Sequence, residues 1–417
     1  MVAAAVHRKP KMLLIVPLLA LLLGLVPVSR AGAEMTTAVT LRPMLTLVNM
    51  PFDEDWMFTG LGTAGVSFLS EGNKNVKAQL DMDLTVADNV LFDVSRAYVK
   101  VRFPVFRSVL GKNRISWGEG VMFNAGDLIA ATSGMVTDLT QDVYHDQGVW
   151  MAEAYIPFGR FSFGELVVLP PVPTLFPVEL GTAFEELAAG LSGGTAGSGT
   201  SGDDGSEDLS ENLSPTPTIE DTALGGRIYL KPFGIKTEAG YLYNGEEQLH
   251  QPYLSLQGHL LVDIHASAST GIPTGQLVED TQEAQEDARE LDPDEDVDEK
   301  EEIREDVIKD QTKISWGLFW LYNFRSGASL SLRLESMIKP WAEWEPIEYD
   351  PENEEVEEDY GILLYPEIVV SPTQGLSFIA RSVFSPIDFS GLFTLGTSWN
   401  IYQNFSILGY TSIQAGH

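Results

Sequence analysis

The chain of 417 residues has no cysteine. An exported protein of this size therefore carries no disulfide and no thiolate metal site, and no lipoprotein-type acylation can follow its apolar leader. Basic residues are scarce, 26 Lys and Arg against 60 Asp and Glu, for a formal charge of −34. Such a surface repels nucleic acid and suits contact with solvent or bridging cations. Beyond residue 33 no apolar run reaches the length of a membrane-spanning helix, so a membrane location has to use strands. No amphipathic helix pattern recurs between strand-like segments, which argues against parallel βαβ units.

What is present begins with a leader. Residues 1–33 combine a basic start (Arg8, Lys9, Lys11), an apolar core from Met12 to Val28 and the small residues Ala31-Gly32-Ala33 before Glu34. This reads as a secretory signal peptide, the rival being an uncleaved anchor; Pro17, Pro27 and the small-residue ending favour cleavage. Its removal takes away four bases and no acid and moves the charge from −34 to −38. With no disulfides, the expected class is a bacterial envelope protein. The expected organisation is the leader at 1–33 followed by one β-barrel domain over 34–417.

From Val76 to Val86 apolar residues alternate with Lys77, Gln79, Asp81, Asp83 and Thr85, so a strand places the two sets on opposite faces. Pro252 to Thr270 alternates likewise, read as one strand. About sixteen such segments recur. Turn residues such as Gly72-Asn73, Phe158-Gly159-Arg160, Phe233-Gly234, Ser326-Gly327 and Gln403-Asn404 separate them, as in antiparallel hairpins. Trp150, Trp316, Trp320, Tyr241, Tyr243, Trp399 and Tyr402 are placed to form interfacial girdles. The expected fold is all-β, a transmembrane antiparallel β-barrel of 12–16 strands with long acidic loops. Long connections after residues 117, 170 and 338 do not fall on one end in a sixteen-segment count, which points to a miscounted strand between 252 and 312. Flexible inserts are expected at about 189–222, rich in Gly, Ser, Thr and Asp, and at 279–310, where seventeen acids meet four bases in a solvated loop or loose helix.

Several motifs imitate chemistry without its context. Asp292, Asp294, Asp296 and Asp298 start like a calcium loop, but Val297 and Ile303 stand where Gly and Glu are required. Gly60 to Gly65 matches G-x-G-x-x-G, yet strand-like Val66 to Leu69 follows instead of a helix. Gly190-Leu191-Ser192-Gly193-Gly194 matches a nucleophile elbow but lies in the linker. His259, Asp263 and His265 share a face, with the histidines spread about 20 Å along one strand, too far for one metal ion. No enzyme, cofactor or metal is expected.

The most informative charges lie from Arg96 to Arg114. Lumen-lining candidates are Arg96, Lys100, Arg102, Lys112, Arg114, Glu119, Asp81 and Asp83, because a base facing lipid costs roughly 2–4 kcal/mol at mid-membrane. Two roles remain open: a structural ladder with Asp81 and Asp83, which is favoured, or a positive strip facing a permeating anion. Within this region, Gly111-Lys112-Asn113-Arg114-Ile115-Ser116-Trp117-Gly118-Glu119-Gly120, then Asn124 and Asp127, resembles the G-[KR]-x-R-I-x-W-G-E-G…N-x-x-D signature of porin-like bacterial outer-membrane proteins related to alginate-export-type barrels. The resemblance covers about residues 90–170 and implies an outer-membrane barrel. It also implies partners: membrane lipid, a lipopolysaccharide-type outer leaflet, small solutes or ions, and the outer-membrane assembly machinery. The end, Ile413 to His417, lacks the terminal aromatic common in such barrels.

The expected function is a porin-like channel of undefined substrate in which residues 118–134 constrict the lumen, with Gly118 and Gly120 permitting the bend. Alternatives are a soluble periplasmic β-rich binding protein or a non-conducting surface barrel.

Overall fold

The computed structural model describes residues 34–49, 56–73, 75–86, 90–129, 148–171, 178–179, 218–291, 299–346, 360–402 and 405–415. The leader, the Gly190 to Gly194 motif and the aspartates from 292 to 298 lie outside them.

The strands are β1 (Glu34–Asn49), β2 (Trp56–Asn73), β3 (Val76–Val86), β4 (Val90–Arg102), β5 (Arg107–Asn113), β6 (Val149–Pro157), β7 (Phe163–Leu169), β8 (Val178–Glu179), β9 (Ala223–Leu230) and β10 (Lys236–Asn244). They continue with β11 (Leu249–His259), β12 (Asp263–Ser269), β13 (Ile272–Pro273), β14 (Lys313–Asn323), β15 (Ser329–Ile338), β16 (Ile362–Thr373), β17 (Leu376–Phe384), β18 (Gly391–Tyr402) and β19 (Phe405–Ala415). All the long strands form one antiparallel meander, each paired with the next long strand in sequence; β8 and β13 are two-residue additions on β4 and β11.

Among the described residues seventeen strands have seven residues or more, one above the expected upper limit of sixteen. The excess arises where the sequence reading placed one strand: 252–270 is β11 and β12, registered Leu256↔Ala266 and His259↔Asp263. Their turn is Leu260-Leu261-Val262, with none of the Gly, Asn or Pro that marks a reversal. A three-residue reversal also preserves parity, so even-numbered residues point outward on both sides and the alternation runs through unbroken. With this strand counted, the long connections 114–148, 170–222, 270–312 and 339–361 all fall on one end. The other end has eight connections of two to five residues. Among the described residues no ladder joins β1 to β19, and seventeen antiparallel strands make these two run in the same direction.

Burial along the strands is the reverse of a soluble protein's. On β11, Tyr253 and Ser255 are 5% and 2% exposed while Leu254 and Leu256 are 48% and 43% exposed. On β7, Glu165 and Val167 are buried between exposed Leu166 and Val168. Polar and mixed side chains thus fill the inside and apolar ones form the outer belt, as required when the outer solvent is hydrocarbon. A soluble β-rich protein would need those apolar faces buried, and they are not. Trp150, Tyr241, Trp399 and Tyr402 are among the exposed outer aromatics. The segment Gly60 to Gly65 lies within β2 and opens no helix.

No described helix is long and apolar enough to cross a membrane. The acidic insert, expected as a loop or loose helix, contains two helices at the long-connection end, α1 (Gly275–Leu291) and α2 (Lys300–Gln311). Buried Val278 and Ile303 anchor them, and Lys300 bridges to Glu279 at 3.1 Å.

Candidate functional site

β5 ends at Asn113, four residues before the long connection expected after residue 117. The chain then leaves the wall because its next apolar side chains find their burial inside the barrel. Ile115, Trp117, Phe123, Ala125, Asn124 and Asp127 are all buried, with Trp117 completely so. Trp117 packs among Ile115, Met151, Val167, Ala223, Leu242 and Tyr253, stacking on Tyr253 at 5.6 Å. Its indole N–H donates to Glu165 Oε1 at 2.8 Å.

The expected bend is present. Gly118 has φ 71° and Gly120 φ 146°. A Cβ on Gly118 would stand 2.5 Å from Asn124 Oδ1, and one on Gly120 would collide with the Phe123 carbonyl. Both positions therefore require glycine. Asn124 closes the bend from inside: its amide donates to the Trp117 carbonyl at 2.8 Å, and its Oδ1 accepts from Gly126 N–H at 3.1 Å. Ser116 donates to Asp127 Oδ2 at 3.3 Å.

Two buried charge clusters fasten this segment to the wall. In the first, Arg227 of β9 places Nε 3.0 Å from Glu165 Oε1 and Nη1 3.0 Å from Glu238 Oε1, and donates to the Ser116 carbonyl at 3.1 Å. Glu238 also accepts from Gly118 N–H at 2.8 Å and from the Tyr253 hydroxyl. Two carboxylates around one guanidinium leave an excess negative charge, and the Trp117, Gly118 and Tyr253 donors compensate it.

In the second cluster, Glu335 of β15 has no exposed surface. It accepts three successive backbone N–H groups, Val121 at 3.0 Å, Met122 at 2.7 Å and Phe123 at 3.0 Å. Consecutive N–H groups aimed at one point make an anion cradle, here filled by the protein's own carboxylate. Ser315 of β14 accepts Ala125 N–H at 2.9 Å. Behind Glu335, Arg333 lies 3.7 Å from it and 3.3 Å from Glu367, which accepts from Tyr365 at 2.8 Å and is registered opposite Arg381.

From β5 to β15 is eight ladder steps around a seventeen-strand meander, close to halfway. Barrels of 16–18 strands leave an aqueous lumen. The segment therefore occupies the interior over the β7 to β15 sector. Its described part, 118–129, covers most of the expected 118–134; residues 130–134 lie outside the described ones.

The sequence-predicted charges divide. Arg96 lies 3.9 Å from Asp81, which also accepts from Ser67 and, at 2.7 Å, from Gln79. Lys112 pairs with Asp93 at 3.3 Å. Asp83 is registered opposite Asp93, and a register irregularity falls between Asp81 and Asp83. Lys100 is registered opposite Lys77 and Arg102 opposite Arg107. Glu119 meets Lys236 at 3.1 Å, a base on β10, and Arg114 stands where the segment leaves the wall. His259 and Asp263 are 2.8 Å apart at a turn, while buried His265 sits two residues into the next strand, so the three do not share one strand.

Sequence reading did not single out Glu165, Arg227, Glu238, Tyr253, Arg333, Glu335, Glu367 or Arg381. One signal was available: in Ser329 to Met337, Arg333 and Glu335 alternate with Leu332 and Leu334, which marks an inward charged face. The cross-strand register that joins such residues has no trace in a single sequence.

No protein-family profile matches the chain, and no curated protein sequence matches it. Solved structures with similar backbones include Pseudomonas aeruginosa OccK2 (OpdF), at 8% identity, 92% of each chain and a TM-score of 0.49. They also include Pseudomonas aeruginosa OccD3 (OpdP), at 10% identity, 93% of this chain and 87% of that one, TM-score 0.44. Salmonella typhi OmpF in complex with Daunomycin matches at 9% identity, 86% of this chain and 92% of that one, TM-score 0.41. The fold assignment rests on this chain's own strand register and burial.

Proposed function

We propose that the protein is a porin-like passive channel of the bacterial outer membrane whose lumen is narrowed by residues 118–134. The carrying observation is the Glu335 cradle, which ties Val121, Met122 and Phe123 to a strand eight ladders away from the segment's origin. A segment pinned at both walls reduces the open cross-section. In this reading the short turns face the periplasm. The long acidic connections face outward, where divalent cations bridge them to an anionic lipopolysaccharide-type leaflet. Export by the leader at 1–33 and insertion by the assembly machinery belong to the same proposal.

The signature resemblance gains a physical content. Four matched positions from Gly118 to Asp127 build the bend or its anchors: Gly118 and Gly120 turn it, and buried Asn124 and Asp127 close it. The relation to alginate-export-type barrels remains part of the proposal. Of the two roles open to the basic residues, the ladder is favoured by the Arg96–Asp81 and Lys112–Asp93 pairs.

Planar-bilayer recording of purified, heat-modifiable protein tests the reading. Discrete steps are expected, and larger ones after deletion of 118–134; because the deletion removes core contacts, Glu335→Gln provides a gentler release with the same direction. Absence of steps in all three proteins would establish the non-conducting barrel instead.

A further inference from the structure

The short-turn end is not uniform around the barrel. Five consecutive hairpins, with turns at 103–106, 158–162, 231–235, 260–262 and 324–328, carry apolar side chains on the turns themselves. Phe233 is 104% exposed, Leu261 89%, Val105 70%, Phe161 61% and Phe158 55%. Phe233 also holds φ 51°, a region that bulky residues avoid, and gains no burial in return. The sequences that join the other three strand pairs at this end, residues 74–75, 374–375 and 403–404, are Lys-Asn, Gln-Gly and Gln-Asn, with no apolar side chain. A girdle that merely marks the membrane boundary would run all the way round and would use outward strand positions. Here one sector places apolar groups beyond the last ladder pairs.

The same sector inverts the charge of the chain. In a protein with 60 acids and 26 bases, the five turns contain no acid and three exposed bases, Arg160, Lys231 and Arg325. Among the residues directly flanking them are Arg102, Arg107 and Lys236, against one acid, Asp263, which is already held by His259 at 2.8 Å. Lys231 Nζ lies 5.8 Å from the Phe161 ring centre, so neighbouring turns present base and aromatic together. Apolar groups with adjacent bases match a phospholipid interface in which rings enter the acyl boundary and ammonium or guanidinium groups meet phosphate.

We propose that these five turns form a docking surface for an anionic phospholipid leaflet, seating the β4 to β15 edge of the barrel deeper in the interface than the opposite edge. The inference rests on the barrel reading above, with this end at a phospholipid leaflet. It does not depend on conductance.

The test uses full-length folded protein in nanodiscs of equal phosphatidylglycerol and phosphatidylcholine, with lipids retained on extraction counted by native mass spectrometry. The expected result is several-fold retention of phosphatidylglycerol over phosphatidylcholine, reduced at high salt and brought to parity by Arg160→Glu, Lys231→Glu and Arg325→Glu together. Phe233→Ser with Leu261→Ser should lower total retained lipid. Parity in the unmodified chain, or a preference that survives the triple reversal, would overturn the proposal. So would cross-links showing these turns covered by a second copy. If the triple variant fails to keep its heat-modifiable shift, the salt dependence of the unmodified protein decides. Protein that never inserts refutes the barrel reading, whereas inserted protein without lipid preference refutes only this inference.

Discussion

Two sectors of the same wall are built from different chemistry. From β7 to β17 the inner face carries the linked charges Glu165, Arg227, Glu238, Arg333, Glu335, Glu367 and Arg381, most of them buried. β18 and β19 hold no charged residue at all, and their inward positions include Thr394 and Ser412, joined hydroxyl to hydroxyl at 2.9 Å. At the other end of the meander β1 and β2 add only Glu34, Arg42 and Glu71. The buried charges concentrate where residues 115–125 press against the wall, whereas those of β3 to β5, such as Asp81, Arg96 and Lys112, are only partly covered. Water solvates a wall by itself, but a segment that covers the wall brings buried N–H groups needing acceptors. Glu165, Glu238 and Glu335 are those acceptors, and the arginines neutralise them. The ionic network is thus architecture for the segment.

The largest effect should follow from breaking the covered sector at its cation. Arg227→Ala leaves Glu165 and Glu238 buried without their shared partner and should cost about 3–5 kcal/mol. Denaturant unfolding in detergent micelles checks this, and a loss under about 1 kcal/mol would show that water already reaches the pair.

Glu335→Gln should act next most strongly. It keeps one acceptor oxygen but loses the charge that three N–H groups share, a loss of about 1–3 kcal/mol for such a buried group. The expected readout is noisier, larger single-channel steps with the heat-modifiable shift retained.

The uncovered sector should respond in the opposite manner. Ser398→Asp on β18 is expected to change stability by no more than about 0.5 kcal/mol while moving ion selectivity toward cations. Reversal potentials in a salt gradient measure it; a strong destabilisation without a selectivity change would place Ser398 against protein. As a companion, reversing Arg96, Lys100 and Arg102 should leave selectivity largely unchanged if they serve a ladder, and a clear shift toward cations would assign them to the conduction path.

The smallest effect lies outside the wall. At the turn after β17, slight burial pushes the Asp388 carboxyl up, but hydrogen bonds from Tyr360 and Ser390 outweigh it and hold the group below the ordinary carboxylate range. A depressed folded pKa contributes stability above the unfolded value of about 3.9, lost as pH falls through the folded value. Carbon NMR titration of this carboxyl should give a midpoint below that of free aspartate, and a midpoint at or above it would contradict the contact.

These sectors also show what a sequence can disclose. The barrel was legible because period-two alternation is local, and Gly118 and Gly120 announced the inward bend through their composition alone. The seventeenth strand was hidden because an apolar three-residue turn at Leu260 to Val262 preserves parity. The anchors were hidden for a different reason. Glu335 is more than two hundred residues from the amides it binds, and the local alternation places it on the inner face without separating a buried anchor from a solvated glutamate.

The absence of native cysteine provides the most direct test of the central claim, that the segment is fastened to the far wall. Ala125→Cys with Ser315→Cys introduces the chain's only two thiols, at positions where Ala125 N–H lies 2.9 Å from Ser315 Oγ. Mild oxidation of folded protein, followed by peptide mass spectrometry, should yield a disulfide-linked pair of peptides containing residues 125 and 315. Two free thiols that both react readily with a maleimide would mean that the segment does not rest there, and the constricted lumen would fall with it.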